Sequence, residues 1–404
     1  MSLTDLLKSA AQWEDYHDYK VTAGALSAAE EKDLFAFISG REYIPALGRI
    51  LDEGVTEPPV KKKIGKSGTD KKRTVYAFPR EENYIFKLLT YLLMRKYDGF
   101  FCGNLYSFRV NNGVLNAVKT ILGEPSLKDR YAYKADISDY FNSVDTGILL
   151  PELKEILSDE PEIYALFERL LTDDRCVENG EIIKEKKGVM AGAPFSVFLA
   201  NVYLSSLDFY MKERGFLYAR YSDDIIVFAK EREGALEAER LIKEFIKEKN
   251  LRINKNKEEF TSPGEMWSFL GFSYHNGKVD VSPVAKSKLK AKIRRRARSI
   301  RRWQARKNAA PDKALRAFIR AVNRKLYDSA YRDTLNWSRW YFPVINTDES
   351  LKEIDSYIQQ TARYVFTGKH TKSNYSLRYS YLKEQGYRPL VAAYYQYRKN
   401  GSGA

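Results

Sequence analysis

The tetrapeptide Tyr221-Ser222-Asp223-Asp224 limits the folds open to this chain more than any other stretch. It lies between two apolar runs, Phe216-Leu217-Tyr218-Ala219 and Ile225-Ile226-Val227-Phe228. Runs rich in β-branched and aromatic residues read as buried strands, and a short polar break between them reads as a hairpin turn. Two adjacent carboxylates are therefore expected on a tight turn carried by a buried sheet. By itself the motif is also met by an ordinary solvated acidic turn. A third acid shifts the balance. Residues 131–137 form another strand-like run with Asp136 at its end, and the chain leaves it through Ser138-Asp139-Tyr140-Phe141. Asp136 alone would more often cap the next turn. One acid at a strand end and two on a neighbouring hairpin can hold two divalent cations, which activate a primer hydroxyl and stabilise a leaving pyrophosphate. Mg²⁺ suits such a site because it takes carboxylate and phosphate oxygens together.

These segments resemble the palm motifs of reverse transcriptases: 136–141, the block 188–204 and 221–224 follow in the family's order. Ser107-Phe108-Arg109 with Asn111-Asn112-Gly113 resembles the fingers segment, and Phe269-Leu270-Gly271-Phe272 resembles the primer grip. The resemblance runs from about residue 61 to 274. It is nearest to bacterial reverse transcriptases related to group II intron maturases, including those of phage defence. It implies metal binding by Asp136, Asp223 and Asp224, helped by the Ile137 carbonyl. It implies triphosphate contacts from Arg73, with Lys66 or Lys72. Phe141 is implied as a steric gate whose ring rejects a 2′-hydroxyl, a discrimination that binding energy alone achieves poorly. A core phenylalanine would also fit that position. Lys257, or Lys255, is implied near the pyrophosphate, where a plain surface lysine is the alternative. For Arg109 a contact to template or triphosphate and a structural salt bridge are both open. The family's Gln-Gly-x-Pro-x-Ser-Pro is altered here, with Ala191 for the Gln and Val197 for the second Pro. That departure bears on fidelity and template choice rather than on chemistry.

Composition agrees with a polyanion partner. The chain has 404 residues, 68 Lys and Arg against 53 Asp and Glu, and a formal charge of +15. Two distant cysteines, Cys102 and Cys176, and three scattered histidines argue against a disulfide framework or a zinc cluster and suit a cytoplasmic protein. No signal peptide or membrane-crossing run is expected.

Taken in order, residues 1–60 are expected to form a helical extension, with a capping box at Ser27-Ala28-Ala29-Glu30. A basic hairpin follows at 61–76, turning at Gly68-Thr69-Asp70. An amphipathic helix is expected over 82–97, helical segments over 151–171 breaking before Pro161, and a hairpin at Asn179-Gly180. In the block 188–196 small residues such as Gly192 let backbone approach a nucleotide or template closely. A helix is expected from Ser196 through Leu207, with Asn201 on it as a template or primer contact, and another over 235–249. From Val281 to Pro311 there is no acid, and Lys292, Arg295, Arg298 and Arg302 stand among twelve cations on one expected helix. Without acids at i,i+4 its countercharge is expected from phosphates, with strong salt dependence.

The expected fold is α+β: a right-handed polymerase whose palm is an antiparallel sheet backed by helices. The extension covers 1–60, fingers 61–135, palm 136–280 with a fingers segment near 150–190, and a helical basic thumb 281–400. Residues 401–404 read as a linker scar. The expected activity is RNA-directed DNA synthesis with two Mg²⁺, dNTPs as substrate and cDNA as product. The expected template is a structured non-coding RNA, in bacterial antiphage defence. A maturase acting by RNA binding and splicing, or a diversity-generating reverse transcriptase, would share these features. Template identity, primer type and oligomeric state are not readable from the residues.

Overall fold

A computed structural model describes residues 1–65, 72–328, 336–369, 371, 374 and 377–401. The chain divides into two compact units, Met1–Glu265 and Met266–Ala404. The strands of the first unit are β1 (Val60–Gly65), β2 (Lys72–Ala77), β3 (Tyr131–Asp136), β4 (Arg175–Glu178), β5 (Glu181–Lys184), β6 (Leu217–Tyr221), β7 (Asp224–Ala229) and β8 (Glu259–Thr261).

The extension is helical as expected, over Leu3–Lys8, Ala10–Thr22 and Ala28–Ser39. The capping box forms: Ser27 Oγ accepts from the Glu30 amide, and the Glu30 carboxylate accepts from the Ser27 amide. Trp13 anchors the segment by burying its indole against Phe37 and Tyr43, with ring centroids 5.5 and 5.2 Å away. β1 and β2 pair antiparallel from Val60↔Ala77 to Gly65↔Lys72. The expected turn at Gly68-Thr69-Asp70, and Lys66, lie outside the described residues. The Asn179-Gly180 hairpin also forms, with both residues at positive φ (+54° and +90°), the pair a tight primed turn requires. Its strands join the basic hairpin in one four-stranded sheet, β2-β1-β4-β5, through the parallel contact Val60↔Val177.

The central sheet runs β6-β7-β3-β8 and is antiparallel throughout. Ile225, Ile226, Val227, Phe228 and Ala229 are all buried, so β7 is covered on both faces. Helix Arg232–Glu248 packs on β3 and β7, and helices Ser205–Glu213 and Val114–Leu122 pack on β6. This is the antiparallel palm backed by helices that the sequence led one to expect. One helix differs. The span expected as continuous from Ser196 to Leu207 is two helices, Ser196–Tyr203 and Ser205–Glu213, where Ser205 Oγ donates to the Val202 carbonyl at 2.8 Å.

The second unit opens with β9 (Trp267–Phe269), β10 (Phe272–His275) and β11 (Lys278–Val281), ordered β11-β10-β9. Its main helices are Pro283–Lys307, Pro311–Tyr327, Glu349–Thr367 and Leu390–Gly401. The division between the two units thus falls after Glu265, ahead of the expected palm end at residue 280. These strands pair with one another, and Asn346 and Ser350 of the helical part bind β11. The Val279 amide donates to Asn346 Oδ1 at 2.8 Å, and Ser350 Oγ donates to Asp280 Oδ2 at 2.6 Å. Among the described residues no helix is long and apolar enough to cross a membrane.

Candidate active site

Asp136 is the last residue of β3 and Asp224 the first of β7, and the two are directly paired in the ladder. Opposed residues of an antiparallel pair have Cα atoms about 4.5–5.5 Å apart and side chains on one face. Asp223 occupies the turn between β6 and β7, and its carbonyl accepts from the Ile137 amide at 3.3 Å. Ser222 beside it adopts the left-handed conformation, with φ of +59°. Three acids separated by some ninety residues of chain thus meet at one end of the sheet.

The charge there is unbalanced. Burial, reinforced by Asp223 and Asp136, raises Asp224 to about 6. Burial and the neighbouring Asp136 also raise Asp223 above the ordinary carboxylate range. Lys257 answers part of this, with Nζ 2.5 Å from Asp136 Oδ2. Asn254 Nδ2 donates to Asp136 Oδ1 at 3.1 Å, and the Asn254 amide donates to the Asp136 carbonyl at 2.7 Å. Among the described residues no group of three Asp, Glu, His or Cys side chains forms a ready cage for a metal ion. Each Asp136 oxygen already has a partner, Oδ1 in Asn254 and Oδ2 in Lys257. The donor set itself, hard carboxylate oxygens in excess of local positive charge, fits divalent Mg²⁺.

Phe141 is half-buried beside Tyr140, with ring centroids 5.6 Å apart, and its carbonyl accepts from the Val189 amide at 2.8 Å. The small residues that follow serve this chain's own backbone. A Cβ on Gly188 would lie 2.4 Å from the Phe141 carbonyl oxygen. A Cβ on Gly192, at φ +100°, would lie 3.1 Å from the Tyr76 carbonyl and from Val75. Close packing on β2 therefore also requires a glycine at 192. Asn142, which the sequence did not single out, links these parts. Its Oδ1 accepts from the Ala191 amide at 2.9 Å and its Nδ2 donates to the Thr74 carbonyl at 3.3 Å. Lys72 and Arg73 are exposed on β2, and neither forms an ion pair with a described residue.

Asn201 is corrected. It is fully buried, accepting from Ser107 Oγ at 2.8 Å and donating to the Ser107 carbonyl at 2.9 Å, so no template or primer can touch it. Arg109 is spent inside the protein. It holds the Asp98 carboxylate through Nε and Nη2 at 2.9 and 3.0 Å and donates to the carbonyls of Asp98, Cys102 and Leu105. Its contacts are those of the structural salt bridge.

In the second unit the Phe269 ring is buried, so only the Leu270-Gly271 turn is left to present its backbone. Both turn residues have positive φ (+49° and +93°). On helix Pro283–Lys307 the buried stripe is Leu289, Ile293, Ala297, Ile300 and Gln304. Lys292, Arg295, Arg298 and Arg302 are exposed. Burial, with Lys325, Arg295 and Lys288 nearby, lowers the Lys292 pKa, as expected where cations crowd without acids. Not every cation waits for phosphate, because Glu353 of helix Glu349–Thr367 binds Lys286 and Lys290 at 2.5 Å each.

Residues 63–274 match the reverse transcriptase (RNA-dependent DNA polymerase) family. The chain is 24% identical over 237 residues to the retron Ec86 reverse transcriptase of Escherichia coli, covering 57% of this chain and 67% of that protein. It is 23% identical over 207 residues to protein YkfC of Escherichia coli strain K12, covering 41% and 53%. Among solved structures, the apo telomerase of Candida tropicalis aligns with a TM-score of 0.49 and 13% identity, over 82% of this chain and 69% of that one. The family match spans just over half of the chain and contains all three aspartates. The protein therefore belongs to the reverse transcriptase family, whose activity, RNA-directed DNA polymerisation, is the one its sequence led us to expect.

Proposed function

We propose that this protein extends a primer 3′-hydroxyl with deoxynucleotides on an RNA template, at Asp136, Asp223 and Asp224. The observation that carries the reading is the register Asp136↔Asp224, which brings three buried or half-buried acids to one sheet end. Two Mg²⁺ bound there would supply activation of the hydroxyl and charge neutralisation at the triphosphate. The Ile137 carbonyl is a further donor in our reading. Holding a cation at Asp136 requires Lys257 to leave it, and Lys257, with 54% of its side chain exposed, has room to swing. Released, its ammonium can donate a proton to the departing pyrophosphate. Arg73 and Lys72, with Lys66 beyond the described strand, neutralise the triphosphate from the β1–β2 hairpin. Phe141 stands under the sugar and excludes a 2′-hydroxyl. The exposed face of Lys292, Arg295, Arg298 and Arg302 holds the template–primer backbone, and the Leu270-Gly271 turn lies against the primer. In these terms residues 61–135 act as fingers and the helical second unit as thumb.

The finer reading is a cytoplasmic bacterial enzyme that copies a structured non-coding RNA in antiphage defence. It rests on the family resemblance and is checked by sequencing nucleic acid that copurifies from cells. One abundant structured RNA with matching cDNA supports it. Intron RNA spliced without cDNA would favour the maturase instead. The activity is tested with Asp223→Ala combined with Asp224→Ala. We expect dNTP incorporation to fall by about a thousandfold or more, with RNA affinity nearly unchanged. Retained incorporation would refute the assignment.

A further inference from the structure

Behind the acidic turn lies a fully buried ion pair that the proposed chemistry does not use. Arg220, next to last in β6, and Asp208, on helix Ser205–Glu213, are both 0% exposed. The guanidinium forks onto the carboxylate, Nε to Oδ1 at 2.7 Å and Nη2 to Oδ2 at 2.5 Å. Tyr218 Oη adds a third bond to Asp208 Oδ1 at 3.0 Å. The remaining guanidinium hydrogens point elsewhere. Nη2 donates to the Asn201 carbonyl and Nη1 to the Ser222 carbonyl, each at 3.2 Å. The Arg220 backbone is clamped too: its amide donates to Asn104 and its carbonyl accepts from Tyr106, at 3.0 and 2.9 Å.

Such a pair is a poor device for stability alone, because desolvating two charges offsets most of their attraction and an apolar pair of similar volume often does as well. What an apolar pair cannot do is hold a carbonyl. The carbonyl held here belongs to Ser222, a non-glycine residue kept at φ +59°, where L-residues are strained. Ser222 immediately precedes Asp223.

We propose that Arg220, oriented by Asp208, is a positioning residue: its bond to the Ser222 carbonyl holds the strained turn in the conformation that presents Asp223 and Asp224. The proposal rests on the reading of these acids as the polymerase site. Misplacing a reacting constellation by about 1 Å costs roughly a hundredfold in rate. A lysine at 220 keeps one charge for Asp208 but lacks the fork that reaches two further carbonyls.

The test uses the full chain in two forms, Arg220→Met with Asp208→Leu, and Arg220→Lys. Wherever a form melts cooperatively, we expect kcat for dNTP incorporation to fall by about a hundredfold, with dNTP KM and RNA affinity changed far less. Hydrogen exchange gives a readout independent of activity. Amides 222–225 should exchange about tenfold faster, while those of β3 stay protected. If the apolar pair does not fold, Arg220→Lys carries both measurements. Turn protection equal to the unmodified protein, or kcat within about threefold of it, would overturn the proposal. Absence of any incorporation by the unmodified protein would instead defeat the polymerase reading, and the exchange measurement would still decide whether Arg220 holds the turn.

Discussion

The acidic end of the central sheet and the basic face of helix Pro283–Lys307 are unbalanced in opposite senses, and they sustain the imbalance differently. At the sheet end the charges are half-buried. Burial, with repulsion from Asp223 and Asp136, raises the Asp224 pKa there, and a lysine from the same chain is drawn in as partial compensation. On the helix Lys292, Arg295, Arg298 and Arg302 are exposed, and among the described residues the printed ion pairs are those of Lys286 and Lys290 with Glu353. A buried excess of one sign selects small ions of the other sign that fit between the groups. An exposed excess selects an extended polyanion and little else. The first kind of site is insensitive to bulk salt and the second is not, because screening acts on exposed charges.

The largest expected effect breaks the comparison on the acidic side. The Asp223→Ala, Asp224→Ala protein should lose incorporation, yet keep the slope of log affinity for RNA against log salt. A changed slope would show that the acids also tune RNA binding. Next is Lys292→Ala with Arg295→Ala, Arg298→Ala and Arg302→Ala. We expect RNA affinity to fall by roughly ten- to a hundredfold and the salt slope to become shallower by up to about 3. At saturating RNA the rate should hold. A rate loss that saturating RNA does not restore would mean the face does more than bind backbone.

Lys257→Met sharpens the acidic side further. It removes both the resident cation at Asp136 and the proposed proton donor. The rate at saturating metal should fall by about tenfold, while the Mg²⁺ concentration for half-maximal rate drops. An increased Mg²⁺ requirement would show that Lys257 assists the metal rather than competing with it.

The smallest effect concerns Glu82, a buried acid outside both regions. Its Oε1 accepts from the Glu57 amide at 2.8 Å, its Oε2 is buried without a partner, and burial raises its pKa to about 7. The folded state therefore binds this proton more tightly than the unfolded chain. Its contribution is fully present below the ordinary glutamate pKa and is lost as pH rises through about 7. Glu82→Gln should match the unmodified protein near pH 4.5 and exceed it at pH 8 by about 1 kcal/mol, read as a melting temperature higher by roughly 2 °C. Equal melting at both pH values would show that Glu82 reaches solvent.

Much of the site was readable in advance because its signals are local. Alternating and continuous apolar runs announced β3, β6 and β7. The polar break announced the turn, and Asn179-Gly180 announced its hairpin. Asn201 misled because a polar residue on a helix gives no sign of which neighbour will cover it; Ser107, distant in sequence, does. At Gly192 the sequence could not show the packing on β2, because smallness looks the same whether a ligand or a strand needs the space. Arg220 carries one local sign of its role, a full charge in an otherwise uncharged strand beside the turn.

From its residues alone, this chain determined that two strands carry adjacent acids on a tight turn, that a third acid ends another strand, and that one helix is charged too positively to stand without a partner. Periodicity and charge along the chain suffice for that, since they act over a few residues. Only the tertiary structure decided that the β1–β2 and β4–β5 hairpins share a sheet and that β9–β11 group with the helices. It also decided that Glu353 answers two of the cations, that Lys257 rests on Asp136, and that Arg220 reaches Ser222. Each of those depends on where segments far apart in sequence come to lie, and that is settled by packing and by the need of every buried polar group for a partner, not by any local pattern.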